Sequence, residues 1–232
     1  MAPSLADATT APRKSRRDLI LRIVSALVLA PLALLATWYG FPFFDLLLAI
    51  GVVLAWREWR LLVGGWRRPG LLLSGMVYIA LVTLSLLSLR HQPETGLQGV
   101  LWLFATVWAT DIFAYVAGRS LGGPRLAPRL SPAKTWSGAL GGLAAAIIVG
   151  ACTAWFFTGG SVIGLAMAGG LLSVVSQAGD LAESAVKRYV GVKDSGQLIP
   201  GHGGLLDRVD ALMAAAVVMA AIRLAGDARW PW

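Results

Sequence analysis

Residues Ser161–Ala178 read SVIGLAMAGGLLSVVSQA, and after Gly179 and Asp180 the chain changes character, reaching Ser184–Asp210, SAVKRYVGVKDSGQLIPGHGGLLDRVD. The first segment is apolar and close to the ~20 residues that a helix needs to cross a bilayer. The second is too polar to cross and too organised to be a spacer. A chain built from such alternation is a membrane protein whose chemistry lies at helix ends and in the connections between helices.

Composition agrees. Of 232 residues, 57% are hydrophobic and 14% charged, with mean hydropathy +0.70, far less charged than soluble domains, at roughly 25%. The net charge of +8 would suggest nucleic acid in a soluble protein, but here the basic residues fall mainly between apolar runs. They read as topology determinants and phosphate contacts. Cys152 is the only cysteine and there are two histidines, so neither a disulfide framework nor a structural zinc site is available.

Working outward, the other apolar runs are Leu19–Gly40, Phe41–Trp56, Pro69–Leu89, Leu97–Gly118, Ser137–Thr158 and Ala211–Leu224. The expected fold is therefore all-α: a polytopic integral membrane protein of about seven transmembrane helices. Met1–Asp18, with Arg13, Lys14, Arg16 and Arg17, reads as a disordered basic tail, and Leu19–Gly40 as a retained first helix rather than a signal peptide. Basic clusters in the tail, at Arg57/Arg60/Arg67/Arg68, at Arg119/Arg125/Arg129/Lys134 and at Lys187/Arg188/Lys193/Arg208 alternate with connections at Phe41, at Arg90 and at the uncharged Gly159-Gly160 turn. The positive-inside rule then puts the N-terminus and every basic connection in the cytoplasm. The chain divides into the tail (1–18), N-terminal helices (19–96) and a catalytic membrane region with cytoplasmic loops (97–232). Trp38, Trp56, Trp59 and Trp136 fall near predicted helix ends, as interfacial anchors do.

Five constellations carry chemistry. Asp180, Glu183, Ser184 and Lys187 share a helix face if the sixth helix continues past the membrane; a carboxylate there suits a metal and Lys187 a phosphate, while a Glu183–Lys187 salt bridge is the plainer reading. Asp207 and Asp210 begin the last helix, where acids also serve as caps. Just before them Pro200-Gly201-His202-Gly203-Gly204 lets backbone amides approach an anion, with His202 in a supporting role. Asp111 lies within the fourth run, with Tyr115 and Arg119 one and two turns on; an ionisable residue at that depth costs at least ~2–3 kcal/mol and should face a polar cavity or partner. Ser131, Lys134 and Thr135 precede a helix opening with Gly138, Gly141 and Gly142, where an anion is favoured; Gly138 and Gly142 also form GxxxG, the mark of close helix packing. Neither GxxxxGK[ST] nor GxGxxG is present, nor the DGxxAR of CDP-alcohol phosphotransferases.

These residues carry a resemblance. The pattern SxxKRxxxxKDxGxxxPGHGGxxDRxD, at Ser184, Lys187, Arg188, Lys193, Asp194, Gly196, Pro200, Gly201, His202, Gly203, Gly204, Asp207, Arg208 and Asp210, is similar to that of phosphatidate cytidylyltransferases, the CDP-diacylglycerol synthases. Asp111, Ala114, Tyr115, Gly118 and Arg119 resemble the family's DxxAYxxGR element, Ser131–Gly142 its SPxKTxxGxxGG element, and Gln177–Asp180 its QxGD. The resemblance covers Trp108–Asp210 strongly and the N-terminal helices by hydropathy only.

The resemblance implies transfer of CMP from CTP to phosphatidic acid in phospholipid biosynthesis, giving CDP-diacylglycerol and pyrophosphate. It implies a catalytic set of Asp180, Lys187, His202, Asp207 and Asp210, with Mg²⁺ held by Asp180 and Asp207. Asp111, Tyr115, Ser131, Lys134, Thr135, Ser184, Arg188, Lys193, Gly201, Gly203, Gly204 and Arg208 would bind substrate, with Lys134, Lys187 and Arg208 on phosphates. The expected setting is a bacterial inner membrane with the site facing the cytoplasm, partners CTP, phosphatidic acid and the bilayer, no nucleic acid, and room for a homodimer. A CTP-dependent polyprenol or phytol kinase and a non-catalytic paralogue are the alternatives.

Overall fold

A computed structural model describes residues 16–156, 161–196, 198 and 203–225. The predicted basic tail before residue 16, the Gly159-Gly160 turn, Pro200, Gly201 and His202 lie outside the described residues. Among those described, seven helices stand where the apolar runs are: α1 (Arg16–Tyr39), α2 (Phe43–Leu62), α3 (Pro69–Arg90), α4 (Gly96–Leu121), α5 (Trp136–Phe156), α6 (Val162–Val190) and α7 (Leu206–Ala225). One departure from the all-helical expectation is a two-stranded antiparallel hairpin, β1 (Arg125–Ala127) and β2 (Ser131–Thr135), in which Arg125 pairs with Thr135 and Ala127 with Ser131. Ser131, Lys134 and Thr135 thus stand on a strand. Thr135 also starts α5, its Oγ1 accepting from the amide of Gly138 at 3.1 Å.

Four helices, α3, α4, α5 and α6, are long and apolar enough to cross a membrane. The described part of α1 contributes a shorter apolar stretch, Leu27–Tyr39, while α2 and α7 carry charges near both ends, Asp45 and Arg60 in the one and Asp207 and Arg223 in the other. At ~1.5 Å per residue, the 29 residues of α6 extend well beyond a ~30 Å hydrocarbon core. Its polar C-terminal part, from Asp180 to Arg188, therefore emerges on one side as a continuous helix. On the apolar part Ile163, Met167, Leu171 and Val174 form an exposed stripe, the surface that lipid would cover.

Successive helices pack α4 on α5, α5 on α6 and α6 on α7, around fully buried Val100, Leu103, Leu165, Leu172, Ala215 and Ala216. The expected close packing at Gly138 and Gly142 is present: a Cβ at either would lie 2.7 Å from a carbonyl of α4, that of Ala114 or Thr110. This antiparallel order brings the C-terminal ends of α4 and α6 together with the N-terminal ends of α5 and α7.

The opposite end has its own anchors. Arg90 donates from Nε to Thr37 O at 2.7 Å and from a terminal nitrogen to Trp38 O at 3.3 Å, so this isolated basic residue caps α1. Among the tryptophans, Trp38 and Trp136 are exposed at helix ends. Trp59 has a packing role instead: its Nε1 donates to Leu71 O at 2.8 Å, and its ring lies against Gly75.

Gly142→Ala should cost about 2 kcal/mol of stability by overpacking, because the atom it would meet is a backbone carbonyl. Gly70→Ala, which meets nothing within 4 Å, should be neutral or slightly stabilising. Thermal unfolding of both variants in detergent checks the contrast.

Candidate active site

The converging ends of α4, α5, α6 and α7, with the hairpin, enclose a cavity of about 770 Å³. Asp111, Tyr115 and Arg119 line it from α4, Ser131, Lys134 and Thr135 from β2, Gln177, Asp180 and Lys187 from α6, and Asp207, Arg208 and Asp210 from α7. Residues scattered over a hundred positions of sequence thus share one wall-to-wall space. Asp111 faces a polar cavity, as its depth in α4 requires.

Its two lysines are ion-paired. Lys134 Nζ lies 2.5 Å from Asp180 Oδ2. Lys187 Nζ lies 2.6 Å from Asp207 Oδ1 and 3.4 Å from Glu183 Oε2, so the expected Glu183–Lys187 contact exists beside a shorter one to α7. Asp207 Oδ2 also accepts from the amides of Ser195 and Gly204, each at 3.0 Å. Burial acts to raise the Asp207 carboxyl, but Lys187 and the two amides outweigh it and hold the group below its ordinary value. Arg119 donates to Tyr115 Oη at 2.7 Å, which fixes a guanidinium and a phenol together on the α4 wall.

Several expected substrate residues stand off this wall. Ser184 is half-buried behind it, and Lys193 is exposed. Arg188 donates to Leu130 O at 3.4 Å, tying α6 to the hairpin turn. Gly203 has φ +84° and lies against Asp207. The amide of Gly204, expected to face a phosphate, is taken by Asp207. Gly201 and His202 lie outside the described residues. Asp194 and Gln177 line the cavity without having been assigned a role from the sequence.

One residue escaped sequence reasoning entirely. Glu58, near the end of α2, is 5% exposed and accepts from Ser195 Oγ, from Leu205 N at 2.7 Å and from Leu206 N at 3.1 Å. Its signal was present: an acid among tryptophans and leucines in AWREWRLL, masked because Arg57 and Arg60 make the segment read as a basic connection.

Among the described residues no three His, Cys, Asp or Glu side chains converge as a ready metal cage. The donor set still suits a hard divalent cation. Mg²⁺ commonly takes one or two carboxylates and completes its shell with water and substrate phosphates, and Asp180 and Asp207 offer carboxylates to a cavity with room for both.

The cytidylyltransferase family matches residues 66–225 of this chain. Similar curated proteins include the phosphatidate cytidylyltransferase of Brucella abortus biovar 1 (strain 9-941), 51% identical over 171 residues, 74% of this chain and 60% of that protein. That of Rickettsia felis is 32% identical over 216 residues, 89% of this chain and 92% of that protein. That of Haemophilus influenzae is 47% identical over 131 residues, 54% and 45% of the two chains. The chain spans about three fifths of the length of the Brucella relatives it matches.

Lys187→Met should lower stability by roughly 3 kcal/mol, since it strands a buried carboxylate, whereas Lys187→Met combined with Asp207→Leu should recover part of that loss. A double-mutant cycle by thermal unfolding measures the coupling; additive losses would mean that the pair contributes nothing.

Proposed function

The chain belongs to the cytidylyltransferase family, and from that premise we propose that it transfers CMP from CTP to phosphatidic acid, releasing pyrophosphate. One observation carries the reading. The charged cavity adjoins a second, apolar cavity of about 340 Å³ between α1, α2, α3, α4 and α7, and Arg208 lines both. A lipid phosphate suits this pairing: its headgroup would meet Arg208 in the charged cavity while an acyl chain lies among Val52, Ile79, Leu212 and Met213 in the apolar one.

In the reaction a phosphate oxygen of phosphatidic acid attacks the α-phosphorus of CTP, the bond to the bridging oxygen breaks, and pyrophosphate leaves. An ionised phosphomonoester is already a nucleophile, so positioning and charge stabilisation carry the step. Lys134, Lys187 and Arg208 hold phosphoryl oxygens. Asp180 and Asp207 would hold Mg²⁺, which would supply positive charge to the phosphoryl oxygens. Both lysines are paired with these same acids, so a phosphoryl oxygen that takes over either lysine leaves that lysine's charge matched.

Asp111 and Asp210 shape the pocket, and His202 keeps the supporting role that its glycine-rich motif suggests. Tyr115, Ser131 and Thr135 contact substrate from α4 and the hairpin. Ser184, Arg188, Lys193, Gly201, Gly203 and Gly204 complete the substrate set of the same polar stretch, Arg188 being the one tied to the hairpin turn. The remaining proposal is topological: seven crossings of a bacterial inner membrane, with the N-terminus and the charged cavity on the cytoplasmic side, in a chain able to form a homodimer.

Purified protein in phosphatidic-acid mixed micelles should convert labelled CTP to a CMP-bearing lipid and matching pyrophosphate only with Mg²⁺. Asp180→Asn and Asp207→Asn should each abolish turnover while remaining folded; near-normal rates in both would remove the metal assignment. Release of CDP instead of pyrophosphate would reveal a kinase.

Leu212→Trp, which fills the apolar cavity, should lower turnover of long-chain phosphatidic acid about tenfold and spare a dihexanoyl substrate. Equal losses on both would remove that cavity from lipid binding.

A further inference from the structure

We propose that Glu58 is a positioning residue for the active site: from α2 it fixes Ser195 and the start of α7, and through them the carboxylate of Asp207. The inference rests on the proposed CMP transfer and adds to it a residue from a helix that precedes the family match, which begins at residue 66.

The geometry is specific. Both oxygens of Glu58 are engaged: Oε1 accepts from Ser195 Oγ and from Leu206 N at 3.1 Å, and Oε2 from Leu205 N at 2.7 Å. Leu205 and Leu206 lie at the N-terminus of α7, where free amides and the helix dipole favour a carboxylate. Ser195 is itself 5% exposed, and its amide donates to Asp207 at 3.0 Å. Gly204, whose amide also donates to Asp207, lies directly against Glu58 and Ser195, so that a Cβ there would collide with both. Gly196 faces the same carboxylate, with Glu58 Cγ 3.1 Å from a Cβ built at that position. Two glycines of the polar motif therefore make room for Glu58, and Asp207 and Glu58 share the same backbone segment from opposite sides.

This arrangement is more than packing. A carboxylate 5% exposed near the end of an apolar helix is costly to bury unless its lone pairs are filled. Every donor it uses belongs either to the segment that grips Asp207 or to the helix that carries Asp207. Loss of the carboxylate frees that segment to shift, and with it the alignment of Asp207 against Lys187, while no group in the charged cavity is deleted.

The test uses the full chain in mixed micelles, comparing wild type with Glu58→Gln, Ser195→Ala and Gly204→Ala. Hydrogen exchange should be at least about tenfold faster at the amides of Leu205 and Leu206 in Glu58→Gln, with α5 unchanged. Turnover at saturating CTP should fall about tenfold and the Mg²⁺ requirement should rise at least about threefold, with KM for phosphatidic acid within about twofold and the melting temperature within ~4 °C. Gly204→Ala should reproduce the kinetic defect and Ser195→Ala a smaller one. Unchanged turnover and Mg²⁺ requirement in Glu58→Gln, beside an active wild type, overturn the proposal, as does a loss that merely tracks a lowered melting temperature in all three variants. A wild type that transfers no CMP defeats the activity reading instead, and the exchange measurement then decides by itself whether Glu58 fixes the segment.

Discussion

The Lys187–Asp207 ion pair is the contact on which the polar half of this protein depends. It joins the far end of the longest helix to the first turn of the last one, at 2.6 Å and largely out of water. A pair in that position is tolerable only if the remaining lone pairs are filled, and the amides of Ser195 and Gly204 fill them. Ser195 and Gly204 each give an amide to Asp207 and each also meet Glu58.

Around this contact the molecule is two solvents' worth of structure. The apolar parts of α3 to α6 expose large hydrocarbon side chains, which suits lipid and nothing aqueous. The ends of α4 to α7 on one side surround charged groups, among them the lysines paired with Asp180 and Asp207. The apolar cavity meets the charged one at Arg208, a residue whose long aliphatic stem can lie along apolar surface while its guanidinium reaches polar surroundings. An amphiphilic substrate needs that boundary, because neither solvent alone can hold both of its halves.

Much of this was legible in the chain. Hydropathy located all seven described helices because each is an apolar run bounded by polar connections. The i, i+3, i+7 spacing of Asp180, Glu183 and Lys187 placed them on one face of α6, since helical periodicity is local. Asp111 announced a polar cavity because its charge has no place in hydrocarbon. The hairpin was not legible: strands of three and five residues are defined by the pairing of Arg125 with Thr135, and the proline-rich stretch between α4 and α5 reads equally well as a loop. The contact of Gly204 with Asp207 was hidden for a similar reason. A glycine reports that something approaches closely, and in this fold what approaches is a carboxylate of the protein itself.

By itself the sequence determined the helix set, the polar segment that could not enter the membrane, and the residue types able to hold phosphate and metal, because each follows from local spacing and the cost of burying charge. Tertiary structure alone decided the partners. Lys134 meets Asp180 across 46 positions, Lys187 meets Asp207 across 20, and Glu58 meets Leu206 across 148. No periodicity encodes those distances. They are chosen when antiparallel helices pack and bring unlike charges together where water is scarce, and there an unmatched charge would be expensive.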